Sequence, residues 1–496
     1  MANELGDLLG AIAATRFGLG ARPGEIETAS HDPKAWLIAQ IRPEGADQPT
    51  GELQSSAERL KAFYAYRADR KTAREDGYVK PAARGAGSAQ TMAPGDTSMT
   101  MTPAPAAAKT EADARSEAEA AAFKAEQKAL YAGTTEEFLA RAQLGASTPA
   151  SFRERWTLFW ANHFTVSATK QTSGIIAGAF EREAIRPHVF GRFEDLLVAS
   201  SRHPAMLFYL DQFNSFGPNS PAASRRKVGL NENLGREILE LHTLGADAGY
   251  TQADVTEFAR ALTGASIGGE RDGPEREGRY LYRPFAHEPG TRTLLGRQYA
   301  DTGEGQARQI LHDLAVDHRT ARRISAKLAA HFVSDTPPPS LVERLTRAWL
   351  ESDGRLDLVA RALVEAPEAW VAAEDKFKTP YEFVISSYRS VGAQPDDFKK
   401  LGPVLTGLGQ KPFSAPSPKG WPDQTGDWAA PDAVIKRLEY AKAFAAKAGP
   451  LVDPDAVAAG ALGARMSDRT RLAIARAESR PEALALLLMS PEFQRR

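Results

Sequence analysis

Apolar residues recur every third or fourth position along most of this chain, without a regular alternation of strand and helix signals, and that pattern restricts the fold more than any other feature. It is cleanest from Thr251 to Leu262, where Val255, Phe258 and Leu262 fall on one helical face. Thr251 stands at the cap position, Asp254 lies in the first turn, and Gly264 closes the helix. Similar spacing recurs at Ser151 to His163, Gln306 to Leu314, Thr320 to Phe332, Leu341 to Leu350, Leu356 to Glu365, Pro380 to Val391 and Pro431 to Lys447. Strand signals are few and short. A doubly wound sheet needs the missing βαβ alternation, so the expected class is all-α: a mainly helical, multi-helix globular domain with room for one small β-hairpin near 279–299. No fixed repeat period argues for a solenoid.

One stretch departs from the pattern. Between Ala82 and Ala108 the chain turns to Gly, Ser, Thr, Met, Pro and Ala, with almost no residue able to anchor a core, as in a disordered insertion. From Lys109 to Ala132 alanine alternates with Glu, Lys and Arg, which predicts a solvated helix returning to the fold. The expected organisation is an N-terminal helical segment of the main domain at 1–81, a low-complexity insertion at 82–132 ending in an Ala-rich helix, and the main helical domain at 133–496.

Composition removes several functional classes. The 62 Lys and Arg residues balance 63 Asp and Glu, so no overall field draws the chain toward nucleic acid or an acidic membrane. With no cysteine, disulfides, thiolate nucleophiles, iron–sulfur clusters and zinc–thiolate sites are excluded. Glu4 and Asp7 occupy the region where a secretory signal needs basic residues, and Arg16 interrupts the apolar run that follows. The most hydrophobic late stretch, Ala483 to Met489, is far shorter than the ~20 residues of a membrane-spanning helix. Neither a signal peptide nor a membrane span is therefore expected, which makes the cytoplasm the default compartment.

The strongest candidate for chemistry is the segment Asn231 to Leu244, which reads as one helix with Gly245 at its C-cap. Leu234, Ile238 and Leu241 form an apolar stripe, while Asn233, Glu237 and Glu240 take the same offsets on an adjacent polar stripe. Two carboxylates one turn apart could bind a divalent metal, or divide into a general acid and a general base. They could equally form a solvated face, with Arg236 close enough to pair with Glu240. His242 follows near the helix end, where a neutral imidazole could serve as base or ligand.

The nine histidines are few enough to weigh singly. His163 shares a helical face with Trp156 and Trp160, as either a hydrogen-bonded core residue or a catalytic group with aromatic walls. His287 lies in a loop, Phe285 to Gly290, where function often resides. His331 ends the helix that carries Lys327, where the helix dipole would favour its charged form in a capping role. Trp421, in the proline-rich loop Phe413 to Asp423, is either a stacking platform or lid or a plug in the core. Asn233, Arg236, Asp254, His287 and Trp421 are accordingly candidate binding residues. Gly264-Ala-Ser-Ile-Gly268 spells a nucleophile elbow, but a helix precedes it where a strand is required. Gly18-Leu-Gly20 is too short for a dinucleotide fingerprint, and Pro23 follows where a helix should begin.

Arg16 to Arg22, Phe159 to Phe164, Asn231 to Gly245, Tyr250 to Val255, Arg260 to Gly264, Thr320 to Phe332 and Gly420 to Asp423 together resemble the bacterial family known as domain of unknown function 1800. The resemblance covers nearly the whole chain outside 82–132. It implies a single large helical unit with the Asn231 to Leu244 helix near its most characteristic part. It also implies a partner, because family members are often encoded beside proteins that look like sulfatases and alkaline phosphatases. Many members carry export signals, from which this sequence departs. Ala265 stands where the family often places Trp, which implies that this position is not essential.

Three hypotheses follow. The first is a hydrolase acting on a polymer or an extracellular small molecule, using Glu237 and Glu240 as acid/base or metal-binding carboxylates supported by His163 and His242. The second is a non-catalytic partner or assembly factor for the phosphatase- or sulfatase-like neighbour. The third is a buried network of Asn233, Arg236, Glu237 and Glu240 that specifies helix packing.

Overall fold

The computed structural model describes residues 2–75, 111–225, 229–371 and 376–496. Among them, twenty-four α-helices joined by short 3-10 and π turns surround two antiparallel strand pairs, so the all-α expectation holds. The Gly/Ser/Pro-rich stretch at 82–108 lies outside the described residues. The Ala-rich helix that follows, α1 (Glu111–Ser147), runs well past its expected end near Ala132. From 117 to 129 it is largely exposed and touches the fold at Phe123, which packs edge-on against Tyr66.

Helix α2 (Ser151–His163) is buried along nearly its whole length. Trp156 lies parallel to Phe190 at 5.9 Å and packs against Trp160 at 6.1 Å, which anchors α2 in the main core. Full burial of such large side chains contributes roughly 2–3 kcal/mol each. Beneath it, the Arg186 guanidinium bridges Glu154 and Glu181 at 2.7 Å, and Glu181 also accepts from Arg141 at 2.9 Å.

The expected Asn231 to Leu244 helix is two pieces. A short helix, α3 (Asn233–Glu237), follows Asn231, whose Oδ1 accepts from the Asn233 N–H, and widens into a π turn at Ile238–His242. Thr243 Oγ1 donates to Ile238 O, and Gly245 N donates to Leu239 O with φ +102. The wide turn changes the faces: Leu234, Ile238, Leu239 and His242 are buried, whereas Leu241 is only half-buried. The next helix, α4 (Gln252–Leu262), has the reciprocal Thr251/Asp254 cap that its sequence predicts.

After α4, β1 (Ala265–Ile267) pairs with β2 (Tyr280–Tyr282), and β3 (Arg292–Leu294) pairs with β4 (Arg297–Tyr299). The second pair is the expected hairpin, turned by Leu295 and Gly296 at φ +50 and +78, values that suit a type I′ turn. The first is an addition to expectation, since a three-residue strand leaves too little alternation to read. Helix α5 (His318–Phe332) is capped by Asp317 and buries Ile324, Leu328 and Phe332, leaving Arg323, Lys327 and His331 on a neighbouring stripe. Helix α6 (Pro380–Ser390) begins at a Thr379/Glu382 capping box and packs Phe383 into the C-terminal helices and Tyr381 into a smaller cluster with Phe138 of α1.

An aromatic-walled cavity as the candidate functional site

Helix α2, the π turn, α5, the start of α6 and the loop at 410–424 enclose a cavity of about 710 Å³. Asn162 on α2 holds the loop at its tightest point. Its Nδ2 donates to Trp421 O at 2.9 Å, and its Oδ1 accepts from Trp421 N at 2.8 Å. Gly420 has φ +87, and a Cβ there would meet Asn162 O at 2.5 Å, so this approach requires glycine. Trp421 is half-buried on the cavity wall, 6.2 Å from Trp428. Phe138, Phe159, Phe180, Tyr381 and Phe413 complete the aromatic lining.

At the centre, Lys327 Nζ donates to His163 Nδ1 at 2.9 Å. The other ring nitrogen of His163, Nε2, donates to His242 O at 3.1 Å, which fixes the neutral tautomer with Nδ1 as acceptor. The wide turn after α3 delivers that carbonyl. Burial and the neighbouring cation Lys327 hold His163 well below its ordinary pKa, and burial followed by Lys327 and Arg323 lowers His242 to about 3. Burial and then Arg323 and Lys419 pull Lys327 down to about 7, with Asp423 acting in the opposite sense.

Arg323 lies one turn before Lys327 and donates to Leu241 O at 2.6 Å and Thr243 O at 3.3 Å. Among the described residues neither Arg323 nor Lys327 forms an ion pair with a carboxylate. The nearby acid, Asp423, is occupied elsewhere. Its Oδ2 accepts from His331 Nδ1 at 3.0 Å, its Oδ1 accepts from Arg496 Nη2 at 3.2 Å, and Lys376 Nζ lies 3.8 Å away. Burial favours the neutral form of Asp423, but His331, Lys376 and Arg155 outweigh it and keep its pKa below the usual carboxylate value.

The residues chosen from sequence separate into distinct places. His163 and Trp421 line the cavity, and His242 packs directly behind His163 with its Nδ1 buried and without a hydrogen-bond partner among the described residues. Glu237 and Glu240 are half-buried outside the lining, and neither carboxylate makes a hydrogen bond or ion pair among the described residues. Burial and then Glu240 raise the Glu237 pKa. Arg236 pairs with Glu232 at 3.1 Å and Gln252 at 2.8 Å, which corrects the expected Arg236–Glu240 pair. Asn233 is exposed, and Asp254 is committed to the α4 cap and to Leu295 N. His287 is buried near the strand pairs, with Nδ1 donating to Thr263 O at 3.0 Å. Ser266 sits within β1 and accepts from Arg283 Nε at 3.3 Å, so it forms no nucleophile elbow.

His331 corrects a second expectation. The helix dipole favours its charged form, but burial lowers its pKa to about 3 against the pull of Asp423, so desolvation outweighs the dipole. Among the described residues no three His, Asp or Glu side chains are grouped to hold a metal ion, so the metal considered from sequence finds no ready ligand set there. Sequence reasoning missed Arg323, Asn162, Asp423 and the role of Lys327. One signal was available: Arg319, Arg323, Lys327 and His331 are spaced four apart on α5, a cationic stripe beside its apolar one.

A helical protein with an aromatic-walled cavity that holds the paired cations Arg323 and Lys327 is the class that this geometry defines. By sequence it belongs to the family described as Protein of unknown function (DUF1800), matched over residues 12–495. No curated protein and no solved structure matches the chain. Among the described residues no helix is long and apolar enough to cross a membrane. Four of the segments on which the family resemblance rests meet at the cavity: Phe159 to Phe164, Asn231 to Gly245, Thr320 to Phe332 and Gly420 to Asp423.

Proposed function

We propose that the protein is an enzyme that binds a small organic anion in this cavity and exchanges protons with it through Lys327 and His163. The observation that carries this reading is the Arg323/Lys327 pair, two cationic side chains one turn apart at the cavity wall, neither in a contact ion pair among the described residues; Glu240 and Asp423 offset them only at longer range. Like charges at that spacing oppose each other, and a bound anion relieves the opposition. An amine titrating near 7 can donate or accept a proton at neutral pH, which the ordinary lysine cannot.

Thermal unfolding in pyruvate and in inorganic phosphate tests the binding half. At ~10 times its Kd, a ligand specific for the folded state stabilises it by about 1.4 kcal/mol. Such stabilisation should appear with at least one anion and be lost in Arg323→Met. Equal responses of wild type and variant would sink the reading. Competitive acetylation across pH, read by peptide mass, tests the other half, with the Lys327 midpoint expected near 7. A midpoint in the ordinary lysine range would remove its proton-transfer role.

A second reading, the hydrolase built on Glu237 and Glu240, is favoured by the raised pKa of Glu237, whose carboxylate makes no contact ion pair among the described residues. It predicts that Glu237→Gln abolishes turnover of a substrate that Lys327→Met still processes. Recovery of the protein with a phosphatase- or sulfatase-like neighbour, while cavity variants leave its role intact, would instead favour the assembly-factor alternative.

A further inference from the structure

We infer that Lys327 is a nucleophile that condenses with the carbonyl group of its anionic ligand, forming an imine in the cavity. This rests on the anion-binding reading above and goes beyond it by naming the substrate class: a 2-oxo acid, or an aldehyde bearing a carboxylate or phosphate.

The argument begins with the placement of the amine. Lysine is activated for this chemistry when it is sequestered from water and set beside another cation, because both disfavour the ammonium form. Lys327 is half-buried in the cavity wall, which removes part of its water, and it has Arg323 one turn before it and Lys419 on the facing loop. Its only hydrogen bond among the described residues is to His163 Nδ1, an acceptor, so a proton leaving Nζ has a place to go. Asp423, which could otherwise have held Lys327 as an ammonium in a direct ion pair, is turned to His331 and Arg496.

The surrounding residues suit such a ligand. Arg323 and Lys419 offer charge to its anionic group, while Phe159 and Trp421 give the cavity apolar walls that limit competition from water. The condensation balances without an oxidant or reductant. The neutral Nζ lone pair attacks the carbonyl carbon, and one Nζ proton passes by way of His163 Nδ1 to the former carbonyl oxygen, giving the carbinolamine. The second Nζ proton follows the same route to the carbinolamine hydroxyl, which departs as water as the C=N bond closes. The net change is amine plus carbonyl to imine plus one water.

Borohydride reduction of the full-length protein in the presence of pyruvate, or of glyceraldehyde 3-phosphate, followed by peptide mass mapping, tests this. At pH 7 the reduced adduct should concentrate on Lys327, at least ~10-fold above any surface lysine, because a far larger fraction of this amine is neutral. Lys327→Arg should keep anion-dependent thermal stabilisation and lose the adduct, and Arg323→Met should retain the amine but lose most of the yield. Anion stabilisation in the wild type without adduct enrichment on Lys327 would overturn the imine and leave the binding reading standing. Absence of both would overturn the two together.

Discussion

At the scale of single residues, the consequential feature is a lysine placed where its charge is poorly accommodated. Its pKa falls from 10.5 in the unfolded chain to about 7 in the folded one. Between those values the unfolded state binds more protons, so stability attributable to this group rises with pH from about 7 to 10.5, and the full penalty is present below 7. Lys327→Met removes the ionisation. Its stability relative to wild type should therefore be more favourable at pH 6 than at pH 10, by roughly 2–4 kcal/mol. Urea unfolding of both proteins at the two pH values measures this, and parallel pH profiles would show that Lys327 titrates as an exposed amine. His163 and Trp421 were legible in the sequence because an imidazole or indole among aromatics stands out in composition and spacing. Lys327 was not, because nothing in a sequence says whether a carboxylate will lie across from a lysine. Here Asp423 comes near, but it arrives in a loop ninety-six residues further on and is turned to other partners.

At the scale of elements, caps and apolar stripes were readable and turn widths were not. The Thr251/Asp254 cap and the buried face of α4 follow from four or five neighbouring residues. The π turn at Ile238–His242 was not legible in the spacing; it buries His242 behind His163, while Glu237 and Glu240 stay outside the cavity lining. The 410–424 loop is a similar case, since its shape is set by Asn162 on a helix more than two hundred residues away. Gly420→Ala should therefore cost about 2 kcal/mol, combining a left-handed backbone angle with a clash against Asn162 O. It should also weaken anion-dependent stabilisation, because Trp421 and Lys419 move with the loop. Full stability with unchanged Trp fluorescence would mean that the loop does not need this close approach. Asn162→Ala, which strands the Trp421 N–H and C=O, should give the same binding defect at a cost of about 1–3 kcal/mol. Limited proteolysis would then cut first between 410 and 424.

At the scale of the whole molecule, the cavity has no local origin: its walls come from α2, the π turn, α5, α6 and the loop, and they are tied together by buried charge. Arg141 lines the cavity, pairs with Glu181, and through it connects to Arg186 and Glu154 beneath α2. Burial raises the Glu181 pKa, but Arg141 and Arg186 outweigh it, so its folded value lies below 4.5. A depressed carboxylate pKa contributes stability that is present above about 4.5 and is lost as pH falls through the folded value. Arg186→Leu leaves Glu154 and Glu181 buried with one cation between them, and such a loss typically costs about 3–5 kcal/mol. With its main partners reduced to Arg141, Glu181 should take up a proton at a higher pH in the variant. The difference in stability should then be largest near pH 7 and narrow toward pH 4.5, where wild type begins to lose the same contribution. Unfolding followed by the fluorescence of the core tryptophans Trp156 and Trp160 reads both pH values in one experiment. A pH-independent difference would assign the cost to lost packing. Loss of anion-dependent stabilisation in Arg186→Leu under conditions where it is still folded would link this buried network to the cavity wall through Arg141.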